Sequence, residues 1–198
     1  MARISLLFAL FGIYKFECSL MKRIFRYKKN TEYGNDINFN FQNPFVEITM
    51  TEQRTKFILT ALAEIGVAEI PGLEVNPQIL KYFHETGFEY IKDETISWCA
   101  AFVNWCCKKN SLELAGDLMA RTRLKIGKRV LQPRIGDIVV LWRESKNSYK
   151  GHVGIFINQI KDNIYVLGGN QDNMVNIKSY PLFRLLGVRD IFNVPNMV

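Results

Sequence analysis

The chain has 198 residues, 48% of them apolar, and carries a formal net charge of +7. This is enough for one domain with a sizeable core and an extension. Residues 1–49 carry seven basic and four acidic side chains and the rest carry nineteen and fifteen, so no long basic face is indicated. A nucleic-acid partner is therefore not expected, although the positive charge favours polyanionic surroundings.

Four cysteines and two histidines limit the redox and metal chemistry of the chain. Cys99 and Cys106 lie two turns apart on one predicted helix, about 10 Å along its axis, whereas a disulfide needs Cα atoms within about 7 Å. Cys107 is adjacent to Cys106, and Cys18 lies in the N-terminal extension, so the four cysteines form no paired CxxC motif. Neither a disulfide framework nor a metal site is indicated, and no cofactor is expected.

The chain opens with an apolar run, Ile4–Tyr14, after a single arginine, as a secretory signal does. The run is shorter than the ~20 residues that span a bilayer. The basic stretch Lys22–Lys29 follows it, without a small-residue cleavage site. Two interpretations stay open. The segment is a signal or membrane anchor, or it is an extension that is unstructured or artefactual, with the true start at Met21 or Met50.

Residues 30–49 are rich in asparagine and show no hydrophobic period, which predicts a linker. The sequence therefore divides into an N-terminal extension, 1–49, and a domain, 50–198. A membrane partner is expected only if the extension acts as an anchor.

The first part of the domain has apolar residues at helical spacing. Thr51 and Asn76 are typical N-caps, and Pro77 suits the first position of a helix. The predicted helices are 51–66, 76–87 and 98–109, followed by a looser helical stretch at 114–127.

The second part of the domain changes to short β-branched runs separated by turn residues. The predicted strands are 133–143, 151–160, 163–171, 173–181 and 184–192, with a hairpin turn at Lys161-Asp162-Asn163. Helices come first and a meander of antiparallel strands second. This order predicts an α+β fold, with N-terminal helices packed on an antiparallel sheet, rather than alternating βαβ units.

Cys99 differs from the other cysteines in its position. A free cysteine among apolar residues is usually a small core side chain, and that interpretation holds for Cys106 and Cys107. With Ser97 as the predicted cap, however, Cys99 falls in the first turn of its helix. Unpaired N–H groups and the helix dipole favour a thiolate there, and the thiolate is the nucleophile.

A nucleophilic cysteine needs a base, and that base needs an orienting partner. His152 begins a predicted strand between two glycines, whereas His84 lies in the middle of a helix. Asn170 follows two glycines at the end of the next strand, about level with His152 across the hairpin. Cysteine at a helix start, then histidine and asparagine on neighbouring strands, is the papain-type order.

Four motifs in order, "SWCAAFVNWC", "PRIGDIVVLWR", "GHVGIFI" and "YVLGGNQ", resemble the CHAP family of cysteine, histidine-dependent amidohydrolases and peptidases. More closely, they resemble a bacterial and phage-associated branch related to the NlpC-type cell-wall peptidases. The similarity covers about Thr51–Val188. In this sequence Trp98 stands where many NlpC-type enzymes carry aspartate before the cysteine.

The resemblance implies a papain-like α+β fold and hydrolysis of an amide bond in peptidoglycan, which would be the partner. Carried over by position, Cys99 is the nucleophile, His152 the base and Asn170 the orienting group. Trp98, Trp142 and Gln171 are predicted to contact the substrate. The site of action would then be periplasmic or extracellular, and an immunity protein would be a partner if the chain is an effector.

Two alternatives stay open at this point. The same Cys-His-Asn group serves an acyltransferase or deamidase, which an acceptor other than water would reveal. A non-catalytic wall-binding module would instead use Cys99 only as a core residue, with a thiol pKa near ~8.5 or above.

Overall fold

The computed structural model describes residues 51–72, 75–93 and 95–192. The predicted extension 1–49, with its signal or anchor, lies outside them. Three α-helices come first in the described chain: α1 (Glu52–Ala63), α2 (Pro77–His84) and α3 (Cys99–Lys109). A 3₁₀ helix, Ala120–Lys125, occupies the stretch for which a looser helix was predicted.

The first two helices begin where their capping residues predict. The Thr51 side chain accepts a hydrogen bond from the backbone N–H of Arg54, and the Asn76 side chain accepts one from that of Gln78. Each satisfies one of the N–H groups that a helix start leaves without an intrahelical partner. Pro77 occupies the start of α2 as expected.

Six strands form one antiparallel sheet in the described chain. Their bounds are β1 (Lys128–Val130), β2 (Ile138–Trp142), β3 (Gly151–Ile160), β4 (Asn163–Gln171), β5 (Met174–Pro181) and β6 (Leu185–Asp190). The order across the sheet is β1-β6-β2-β3-β4-β5. The helix-then-sheet arrangement confirms the predicted α+β class.

The topology differs from a simple meander at one edge. After β5 the chain crosses back so that β6 pairs with β2, and the short strand β1, which the sequence did not predict, pairs with β6. A 3₁₀ turn, Leu182–Arg184, separates β5 from β6. β1 has only three residues, two of them exposed, so no hydrophobic alternation marks it in the sequence.

The helix α3 packs against β3 and β4, and this contact positions the candidate site. The close approach of α3 to β4 depends on Gly169. A Cβ at this position would lie 2.6 Å from the Trp98 ring and 2.8 Å from the Phe102 Cβ. Since real Cβ atoms do not approach so closely, a side chain at this position would push α3 away from the sheet. The start of α3 is thus held tightly over β4.

A buried ion cluster ties α1 to the sheet on the side away from the start of α3. Arg54 contacts Asp137 at 2.6 Å and Asp190 at 2.8 Å, and all three side chains are buried. Arg134 contacts the other oxygen of Asp190 at 2.7 Å. The charges compensate each other, as buried ions require, so this cluster has a structural role.

No helix of the described residues is both long and apolar enough to cross a bilayer. Over the same residues, no group of three or more histidine, cysteine, aspartate or glutamate side chains is placed to hold a metal ion.

Candidate active site

Cys99 is the first residue of α3 and is 3% exposed. Trp98, not the predicted Ser97, occupies the N-cap position, and it makes no side-chain capping hydrogen bond. The Ser97 hydroxyl instead lies 3.9 Å from the Cys99 Sγ. The backbone N–H groups of the first turn therefore have no bond from the side chain at the N-cap.

His152 lies near the start of β3, buried beside Cys99. Burial raises the pKa of the Cys99 thiol, but the hydrogen bond and the charge of His152, with a smaller contribution from the backbone of Val153 and the side chain of Ser97, lower that pKa to about 7. A thiol with this pKa is half ionised near neutral pH, which suits a nucleophile.

The second ring nitrogen of His152 contacts Gln171. Its Nε2 lies 3.0 Å from the Gln171 Oε1. The Gln171 Nε2 donates to the backbone oxygen and Oδ1 of Asn176, at 2.7 and 2.9 Å, and to the backbone oxygen of Val166 at 3.2 Å. Because these three atoms only accept, the amide orientation is fixed, and its oxygen must face His152.

This orientation also assigns the tautomer of His152. The Gln171 Oε1 can only accept, so the His152 Nε2 carries the proton that it donates. In the neutral ring Nδ1 is then unprotonated and is the nitrogen left to take the proton of Cys99. The Tyr180 hydroxyl donates to the same Gln171 oxygen at 3.0 Å, and the Tyr180 and His152 rings lie 5.4 Å apart.

Asn170 does not make the contact that was predicted for it. It lies level with His152 if the pairing of Ile155 with Leu167 is continued along the strands. However, Asn170 has a left-handed backbone (φ 55°) where the pairing of β4 with β5 is irregular, between Gly168 and Gln171. This bulge points Gln171 at His152 and leaves Asn170 half-buried, with its Nδ2 3.5 Å from the Ser97 Oγ.

The three residues predicted to bind substrate differ in their exposure and contacts. Trp98 is fully buried and donates its ring N–H to Glu69 at 2.8 Å, so it is a core residue rather than part of a cleft. Gln171 is 1% exposed and its polar atoms are all bonded, so it acts on His152 rather than on a ligand. Trp142 alone of the three lies partly exposed at the cleft.

The remaining sulfur and imidazole groups lie apart from the site. The His84 Nε2 is 2.7 Å from the backbone oxygen of Ile91 in the helical layer. Cys106 and Cys107 are buried in the second half of α3, and burial raises the pKa of both thiols. The sequence interpretation of these three residues as structural agrees with their placement.

Two residues of the site, Asn176 and Tyr180, were missed by sequence reasoning. They lie four apart on β5, opposite Gly168 and Ile164 of β4. Side chains at even spacing share one face of a strand, so both reach the face that carries Gln171. That period, read together with a strand ending in Asn-Gln, is the signal that could have identified them.

A cleft opens beside the thiol. One part has a volume of about 510 Å³ and is bordered by Ser97, Cys99 and, between β2 and β3, Glu144, Tyr149 and Lys150. A second part, about 200 Å³, is bordered by His152 and Trp142. Cys99 and His152 therefore each border a space that is large enough for part of a ligand.

A thiol at a helix start, beside a strand histidine on an antiparallel sheet, is the arrangement of the papain-type class. Residues 91–170 match the CHAP domain, which confirms the resemblance seen in the sequence motifs. Proteins with a CHAP domain are generally cysteine peptidases or amidases.

Two solved structures are similar at low identity. NlpC1 from Trichomonas vaginalis is 12% identical, with a TM-score of 0.45 over 73% of this chain and 46% of its own. A protein described as similar to a lipoprotein of the NLP/P60 family, from Staphylococcus aureus subsp. aureus Mu50, is 16% identical, with a TM-score of 0.42 over 72% and 42%. This chain thus spans less than half the length of either. A comparison with curated proteins finds no match.

Proposed function

We propose that this chain is a cysteine amidase or endopeptidase that hydrolyses an amide bond of peptidoglycan. The observation that carries the proposal is the pairing of Cys99, whose pKa is lowered to about 7, with a His152 that the buried Gln171 holds in one orientation. Cys106 and Cys107 are also buried, yet the pKa of each is raised. The contrast supports a reactive role for Cys99 rather than a core role.

The reaction begins with transfer of the Cys99 proton to the Nδ1 of His152. The thiolate then attacks the carbonyl carbon of the scissile amide and forms a carbon–sulfur bond. The oxyanion that develops lies at the start of α3, where the backbone N–H of Cys99 can donate to it. Loss of one such donor typically slows acyl transfer by ~10²–10³.

Collapse of the tetrahedral intermediate breaks the carbon–nitrogen bond. The His152 imidazolium gives its proton to the leaving amine, and a thioester remains on Cys99. His152 then takes a proton from water, which attacks the thioester and regenerates the thiol. Gln171 acts through His152, because its oxygen accepts from Nε2 in the neutral ring and in the imidazolium alike.

The assignment of the orienting role to Gln171 replaces the expected Cys-His-Asn group with Cys-His-Gln. Both amides can accept a hydrogen bond from an imidazole, so the chemistry is the same. The contact of Asn170 with the Ser97 hydroxyl, rather than with His152, supports a lesser role for it.

The test uses purified wild-type protein and the Cys99→Ala variant on isolated peptidoglycan of several chemotypes, with mass spectrometry of released fragments. We expect fragments from the wild type alone, and their new termini identify the bond that is cut. A product that carries an added amine in place of a new carboxyl terminus would instead identify acyl transfer. Release by neither protein on any chemotype would overturn the proposal.

A further inference from the structure

Two arginines border both parts of the cleft. Arg143 follows directly after β2, and Arg184 ends the 3₁₀ turn that precedes β6. Each lines the larger part, which contains Cys99, and the smaller part, which contains His152. Their guanidinium groups are therefore next to any ligand that lies across the reacting pair.

The other cations of the cleft are already neutralised. Lys150 contacts the Glu144 carboxylate at 2.6 Å, and Lys178 contacts that of Asp172 at 2.5 Å. These four charges cancel in pairs. The cleft as a whole therefore keeps the positive charge of the two arginines.

Arg143 and Arg184 have no such partner in the part of the chain that the structure describes. Neither side chain lies within ion-pair distance of a described carboxylate. The Nε of Arg184 is buried without a hydrogen-bond partner, while its guanidinium carbon lies 5.3 Å from the centre of the Trp142 ring. No hydrogen bond within the described chain holds Arg184 at this nitrogen, and the residue borders both parts of the cleft.

We propose that Arg143 and Arg184 form an anion subsite that binds a free carboxylate of the substrate beside the scissile amide. The guanidinium group has a planar set of donors that matches a carboxylate, and Trp142 supports one such group from below. The proposal rests on the proposed function. It specifies the substrate further, as a peptide with a free carboxylate near the bond that is cut, in preference to the corresponding carboxamide.

The first test compares the alkylation of Cys99 by iodoacetate, an anion, with alkylation by neutral iodoacetamide. Arg143→Gln, Arg184→Gln and their double variant are compared with the wild type. We expect the double variant to lower the iodoacetate rate about fivefold or more, the size of a surface charge interaction. The iodoacetamide rate should change less than twofold.

Lys161→Gln is the matched control. It also removes one positive charge, but Lys161 lies in the turn at the end of β3 away from His152. It should leave the ratio of the two alkylation rates unchanged. If Lys161→Gln lowers the ratio as much as the single arginine variants, or if those variants leave it unchanged, the subsite does not exist.

The second test does not need a reactive thiol. Calorimetry measures binding of the peptide L-Ala-γ-D-Glu-L-Lys-D-Ala to Cys99→Ala protein, with its carboxyl groups free or all converted to carboxamides. We expect the free form to bind about fivefold tighter or more, and Arg184→Gln in the same background to abolish the difference. Equal affinities would overturn the subsite. Slow alkylation of Cys99 by both reagents would instead overturn the proposed function alone.

Discussion

Both ends of α3 carry cysteines, but the pKa of the thiol is lowered at one end and raised at the other. Cys99 at the start and Cys106 and Cys107 near the end are all buried. Burial raises the pKa of all three thiols, yet only that of Cys99 falls, to about 7. Burial alone therefore does not decide whether a cysteine on this helix is reactive.

The difference comes from what each sulfur faces. Cys99 lies beside His152, whose hydrogen bond and charge lower the thiol pKa, with smaller contributions from the Val153 backbone and the Ser97 side chain. Burial contributes most to the raised pKa of Cys106, and the nearby Cys107 and Glu64 raise it further, while Arg123 opposes them. One helix therefore carries thiols of lowered and raised pKa, and the histidine on the neighbouring strand accounts for the difference.

Replacement of His152 should remove the difference between the two ends. In His152→Ala the hydrogen bond and the charge that lower the pKa of Cys99 are lost, while burial remains. We expect the pKa of Cys99 to rise above 9, the ordinary value for the thiol, and kcat/KM to fall by about 10³-fold. Peptidoglycan turnover and the pH dependence of iodoacetamide labelling measure the two effects.

His84→Ala is the control for this variant. His84 contacts a backbone oxygen in the helical layer and no residue of the site, so turnover should stay near the wild-type level. Equal loss of activity in both histidine variants, with both folded by circular dichroism, would contradict the assignment of the base.

Replacement of Gln171 should weaken the site without removing the base. Gln171→Leu keeps the size of the side chain but leaves the Nε2 of His152 without its acceptor and the ring without a fixed tautomer. We expect kcat/KM to fall by about 10²-fold, with the pH profile of Cys99 labelling shifted upward. Steady-state kinetics measures the first effect, and labelling across about pH 5 to 10, which spans the pKa values of protein thiols, measures the second.

Asn170→Gly is the matched control, because glycine accepts the positive φ of that position without strain. It should change kcat/KM by less than about tenfold. A loss at Asn170 that exceeds the loss at Gln171 would restore the orienting role to Asn170.

Labelling of the wild type compares the reactivity of Cys99 and Cys106 directly, without a substitution. The pKa of Cys99 is lowered in the folded state, so its thiolate is present above about pH 7 and is lost as the pH falls through that value. We expect half-maximal iodoacetamide labelling of Cys99 near pH 7, and little labelling of Cys106 below pH 9. Peptide mapping after timed alkylation distinguishes them, and equal rates at pH 7 would remove the basis for a nucleophile.

The sequence predicts the three helices, five of the six strands of the described chain, and the positions of Cys99 and His152 on them, because each is encoded locally. Caps at Thr51 and Asn76, alternation along the strands and the position of Cys99 all depend on neighbours in the chain. β6 was predicted as a strand, but its pairing with β2 depends on a crossover that no local pattern specifies.

The choice between Asn170 and Gln171 was beyond sequence reasoning for a physical reason. The strand register correctly places Asn170 level with His152, but one left-handed residue reverses which side chain faces inward. Ser97 was likewise a reasonable cap by residue type, yet its hydroxyl lies beside the Cys99 sulfur and Trp98 takes the cap position. Both errors lie within a few ångströms of the reacting atoms, where local preferences are overridden by the site.

Replacement of Cys106 and Cys107 should have the smallest effect on activity. Neither sulfur faces His152 or the cleft, so Cys106→Ala and Cys107→Ala should each keep kcat/KM within about twofold of the wild type while unfolding becomes easier by about 1 kcal/mol. Cys99→Ala is the counterpart: it should lower the free energy of unfolding by a similar amount, because Cys99 is also buried, but it should abolish turnover. Urea denaturation and peptidoglycan release, measured on the three variants together, separate the two roles. Loss of turnover in Cys106→Ala, with stability intact, would show that reactivity is not confined to the start of α3.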